Sequence, residues 1–164
     1  MDVKHFWELN AGLVAERAVE QVRDRLSVLE PEEIESYQKH FDRVFAAAYV
    51  WDLWAAAYII DGGCSDDGFM DFRYGLILRG QKIFEAAIAD PESLVDIADD
   101  SDGGCIPNES FGYVASEVYE SVTKQEMPDN DVVHSSSPSG EEWDFDDEQL
   151  CKQKLPKLWA KFGM

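Results

Sequence analysis

The sequence contains no run of about 18 apolar residues, the length that marks a membrane-spanning helix. Its longest apolar block, from Phe45 to Ile60, is interrupted by Asp52. The opening Met-Asp-Val-Lys-His-Phe lacks the apolar core and small-residue cleavage site of a signal peptide. The expectation is therefore a cytoplasmic chain with no membrane contact. Cysteine is scarce: Cys64, Cys105 and Cys151 are odd in number and lack C-x-x-C spacing, which excludes a disulfide framework and a zinc knuckle. His5, His40 and His134 stand in neither an H-x-x-x-H nor an H-E-x-x-H pattern, so no metal is expected. There is no phosphate loop, no Rossmann glycine pattern and no nucleophile elbow, and no cofactor is implied. Repeats and long alternating strand patterns are missing too. The one place open to a short strand pair is 112–116 with 130–134.

Basic residues are also few, 14 against 34 acidic ones, for a net charge of −20. The imbalance is local. Residues 1–89 hold 9 basic and 16 acidic residues, residues 90–148 one basic and 18 acidic, and residues 149–164 four lysines and no acid. A field of that sign disfavours a nucleic-acid backbone and favours a basic protein partner. Solubility alone would also explain it.

What is present is a core. Of the 164 residues, 45% are hydrophobic and 12% aromatic, enough for one packed domain spanning 1–164. Within it, 90–148 is an acidic, loop-rich segment and 149–164 a basic helical end. Apolar residues recur at helical spacing over 2–29, with a break open at Asn10-Ala11-Gly12. They recur again over 31–60, as one helix or two joined near Val50, and over 69–89, where Gly80 bends or splits the run. Glu30-Pro31-Glu32-Glu33 and Asp90-Pro91-Glu92 are helix starts, and Asp61-Gly62-Gly63 is a helix end. Phe111 to Val122 and two short closing helices, 146–154 and 156–162, complete an all-α, irregular bundle of about six to eight helices. The helices of 31–60 and 69–89 are expected to form its centre.

The run Trp51-Asp52-Leu53-Trp54-Ala55-Ala56-Ala57-Tyr58, followed by Gly62-Gly63-Cys64-Ser65-Asp66-Asp67-Gly68-Phe69 and Phe72-Arg73, resembles a bacterial family named for a domain of unknown function, DUF4240. Phe6-Trp7, the Ala-Asp-Pro-Glu-Ser-Leu of 89–94 and the closing Leu155-Pro156-Lys157-Leu158-Trp159 are similar to it as well. The resemblance spans nearly the whole chain and implies little about activity.

Two groups of residues carry candidate chemistry. Cys64, Asp66, Asp67 and Arg73 surround a glycine-flanked turn at a helix start, where amides favour an anion and carboxylates a cation. The same residues suit a plain capped turn with a small buried thiol. Trp51, Asp52, Trp54 and Tyr58 make an aromatic wall with one carboxylate, suited to a pocket or to core packing. Asp52 would need a partner if buried, and Arg73 or Arg43 is expected to supply it. A calcium-loop match at Asp100-Ser101-Asp102-Gly103 with Glu109 departs from the pattern at Ala98 and Pro107. The basic end, Lys152 to Lys161, is expected to pair with the chain's own acids. Two functions follow. The first is a non-catalytic acidic interaction domain, immunity- or regulator-like. The alternative is a small-molecule- or cation-binding, or hydrolytic, domain with its site at the Gly-Cys-Ser-Asp-Asp-Gly turn.

Overall fold

A computed structural model describes residues 1–98 and 109–163. The calcium-loop match at 98–109 therefore falls largely outside the described residues. Among those described there is no strand, and nine α-helices follow one another: α1 (Val3–Leu9), α2 (Ala18–Ser27), α3 (Pro31–Ala47), α4 (Trp51–Asp61), α5 (Asp66–Leu78), α6 (Gln81–Ala89), α7 (Val114–Thr123), α8 (Glu148–Lys154) and α9 (Pro156–Phe162). Short 3-10 turns cover Ala15–Arg17, Pro91–Asp96 and Glu109–Tyr113. No helix described is long and apolar enough to cross a membrane.

The breaks fall where backbone chemistry requires them. Asn10 ends α1 and is buried, yet its side chain is satisfied: it donates to the Phe6 carbonyl at 2.9 Å and accepts from the Tyr37 hydroxyl at 2.9 Å. Arg25 of α2 closes the same end by donating to the carbonyls of Leu9 and Ala11 at 3.0 and 2.7 Å. Proline opens α3, where the Glu33 carboxylate accepts from the Glu30 amide at 3.2 Å. Gly62 ends α4 at φ 70°, a left-handed conformation that a side chain resists. Gly80 separates α5 from α6 at φ 95°. The 31–60 run is two helices, because Val50 is extended and pairs with Ser139 in an isolated bridge. Asp90-Pro91-Glu92 starts a 3-10 turn rather than an α-helix.

One apolar core joins these pieces. Phe6, Val22, Leu26, Ile34, Leu53, Phe69, Leu76, Ile77 and Leu158 are all completely buried in it. Helices α3 and α4 pack on α5, as the aromatic stripes imply, while α7 makes its broadest contacts with α2 and α3. The segment 112–116 is helical and 130–134 is coil, so the strand pair considered there does not form. Helicity wins because Val114, Ala115 and Val118 then point to one buried face.

The basic end folds back on the chain. The Glu92 carboxylate accepts from the amides of Lys157 and Leu158 at 2.9 and 2.8 Å, holding the first turn of α9. Lys161 donates to the carbonyls of Val95 and Ala98, and Lys152 pairs with Glu148. Replacing Glu92 by alanine removes two charge-assisted bonds to α9. Urea unfolding should show a loss of about 1–2 kcal/mol, whereas Val133→Ser, at an exposed position, should change nothing measurable.

Candidate functional site

Five of the eight candidate residues fall into two groups, one on either side of Trp54. The division begins at the hinge between α3 and α4. There Ser139 accepts from the Trp51 amide at 3.0 Å and donates its own amide to the Tyr49 carbonyl at 2.9 Å. This fixes the start of a strap, residues 139–147, that runs back over α4. Trp143 donates its indole N–H to Asp52 at 2.9 Å. Phe145 then meets Trp51 and Trp54 edge-on at 6.1 and 6.0 Å and Tyr58 at 5.6 Å. The Tyr58 hydroxyl donates to Asp146, and Asp147 caps α8.

The aromatic wall is therefore covered, with Phe145 seated where a ligand would lie. The expected pairing of Asp52 with Arg73 or Arg43 does not occur; its partner is Trp143. Asp52 is exposed, so its charge is hydrated and needs no buried cation.

Trp54 ties the wall to the turn. Its ring lies parallel, within 4°, to both Trp51 and Phe69, at 5.5 and 5.3 Å, and its indole N–H donates to the Cys64 carbonyl at 2.9 Å. Ser65 caps α5, accepting from the Gly68 amide at 3.1 Å. Asp66 and Asp67 occupy the first turn, where carboxylates suit the positive end of the helix. Asp67 is exposed. The Cys64 thiol points at the Ser65 carbonyl, 3.6 Å away, and burial together with Asp61, Asp71 and Asp66 pushes it up to about 11. A nucleophilic cysteine needs the opposite environment. His40 is engaged elsewhere, bonding the Met1 carbonyl at 2.9 Å.

Space opens beside Arg73 instead. Arg73 is 4% exposed. Its guanidinium carbon sits 3.9, 4.4 and 4.9 Å from the ring centres of Phe45, Tyr49 and Phe69, and one terminal nitrogen donates to the Phe45 carbonyl at 3.2 Å. Its buried Nε has no partner. None of the ion pairs found among the described residues includes it. Burial lowers its pKa to about 10, opposed by Tyr49 and Asp66, so it remains a cation at neutral pH. Asp66 accepts from the Tyr49 hydroxyl at 3.0 Å. Tyr49, Asp66, Met70, Arg73 and the segment His134-Ser135-Ser136 line a chamber of about 220 Å³.

Asp66 and Arg73 are thus brought together, while Trp51, Asp52 and Tyr58 lie under the strap. Cys64 and Asp67 join neither group. Sequence reading missed Phe45, Tyr49 and His134–Ser136. Phe45 reads as one more apolar residue of the 31–60 run, and neither Tyr49 nor a serine-rich loop carries a sign of where it lands. No group of histidine, cysteine and carboxylate side chains suited to a metal ion occurs among the described residues.

A family model described as a protein of unknown function, DUF4240, matches residues 1–121, which include α1 to α6, the turn and Arg73. No curated protein and no solved structure matches the chain.

The thiol makes a direct check possible. At neutral pH the thiolate fraction of Cys64 should be about a hundredfold below that of an ordinary cysteine. Iodoacetamide labelling followed by peptide mapping should show slow modification of Cys64 in the native chain and fast modification in urea. Equal rates would contradict the geometry.

Proposed function

The chain belongs to the DUF4240 family, whose description assigns no activity, and we propose that this member is a non-catalytic interaction domain that engages a basic protein partner through its acidic strap. The observation that carries the reading is that six acids crowd residues 141–148 while the Trp143 and Phe145 side chains pin that segment to α4. Four of them have structural work: Asp144 accepts from the Asp146 amide at 2.9 Å, Asp146 receives Tyr58, Asp147 caps α8, and Glu148 pairs with Lys152. Glu141, Glu142 and Asp144 stand exposed, and no ion pair found among the described residues neutralises them.

A charged surface that is already ordered loses little entropy on binding and steers an oppositely charged partner. Half-buried Trp51 and Phe145 lie beside it, the residue types that anchor interfaces. The mechanism is steering and occlusion, without chemistry. The raised Cys64 thiol and the structural use of Asp52 and Tyr58 agree with a role that needs no nucleophile.

The test is a double reversal, Glu141→Lys and Glu142→Lys, which spares Asp144, Asp146, Asp147 and Glu148. Fluorescence anisotropy with a defined lysine- and arginine-rich peptide should show binding to the parent chain and at least a ~10-fold weaker Kd for the variant. Raising ionic strength from about 0.1 to about 1 M, which shortens screening from about 10 to about 3 Å, should weaken the parent similarly. A Kd insensitive to both changes would remove the proposal.

A further inference from the structure

The Arg73 chamber is independent of the acidic strap and makes a different demand. A guanidinium carries five N–H donors, and here one of them is met by the Phe45 carbonyl. The three rings around it attract its charge but offer no acceptor in the plane of the fork. Burying an arginine that no carboxylate of the described residues reaches within 4.0 Å is costly, and a ligand oxyanion is what the planar fork recognises best. The Nε is buried without a partner, on a residue that is 96% buried and lines the chamber.

Asp66 lines the same chamber, and Tyr49 holds one of its oxygens. Two opposite charges thus face one space without meeting. A free phosphate would satisfy Arg73 but be repelled by Asp66. A metal cation would suffer the reverse. A molecule carrying both signs satisfies both. The volume, about 220 Å³, lies below the ~300–1,000 Å³ of sites for drug-sized ligands, so the guest is small. Met70 and the Phe45 ring supply an apolar wall for a short side chain.

We propose that this chamber binds a small zwitterion of amino-acid size, with its carboxylate on Arg73 and its ammonium on Asp66. The guanidinium is already oriented by the aromatic rings, and the carboxylate by Tyr49, so little ordering accompanies binding. The His134-Ser135-Ser136 segment closes one side of the site and contributes polar groups to it.

Isothermal titration calorimetry of the full chain tests this with four probe classes: L-amino acids, their amides, amine-free carboxylic acids of matched size, and inorganic phosphate. At least one amino acid should bind, and its amide should bind at least ~10-fold more weakly. Arg73→Lys, checked for folding by its thermal melt, should lose at least ~10-fold in affinity, because an ammonium replaces the planar fork. Asp66→Asn, at an exposed position, preserves the fold and should weaken the amino acid while binding the amine-free acid no more weakly than the parent chain does. No binding of any amino acid at millimolar concentration would overturn the proposal. So would tighter binding of phosphate, or an Asp66→Asn chain with undiminished amino-acid affinity.

Discussion

The stack of Trp51, Trp54 and Phe69, closed by the bond from the Trp54 indole to the Cys64 carbonyl, decides the layout of everything functional in this chain. Two helices separated by four turn residues can meet at many angles. The parallel rings remove that freedom, because offset stacking tolerates little sliding once one indole is tethered to the backbone between the helices. With α4 and α5 fixed, Arg73 is carried to Phe45 and Tyr49 of the preceding segment, and the outer face of α4 becomes a flat aromatic landing for Phe145.

Charge then distributes itself around that frame according to what water reaches. Asp52 stays at the surface and takes an indole N–H, at little cost. Arg73 goes inside, where rings replace a counter-ion. The acids of the strap remain outside because Trp143 and Phe145 between them alternate inward, burying apolar rings and turning the carboxylates to solvent. The same residues that anchor the strap therefore create its acidic face. Screening by salt affects that face strongly and the interior of the Arg73 chamber much less. The two surfaces are separable by experiment for that reason.

Much of this was legible in the residues. Apolar spacing gives the helices, and Pro31, Gly62, Gly80 and Pro156 give most of their boundaries, since each imposes a local conformation that needs no tertiary information. The pairing of Asp66 with Arg73 on one side of α5 follows from helical geometry. What was not legible depends on where a loop lands. Trp143 reaching Asp52 and His134 reaching the α3–α5 cleft span about 90 and 60 residues of chain, and no periodicity encodes a contact across a coil. The hinge near Val50 is one of the two readings the 31–60 run allows; the alanines on both sides favour helix, and what decides for the break is Ser139, a distant partner.

The central claim, that indole bonds lock both the turn and the strap, is tested most directly by solvent exchange of the tryptophan side-chain N–H protons. Heteronuclear NMR of the native chain, with each signal assigned by a Trp→Phe substitution, reads them individually. The Trp54 and Trp143 indole protons should exchange far more slowly than in the urea-unfolded chain. Exchange of both at the unfolded rate would contradict the claim.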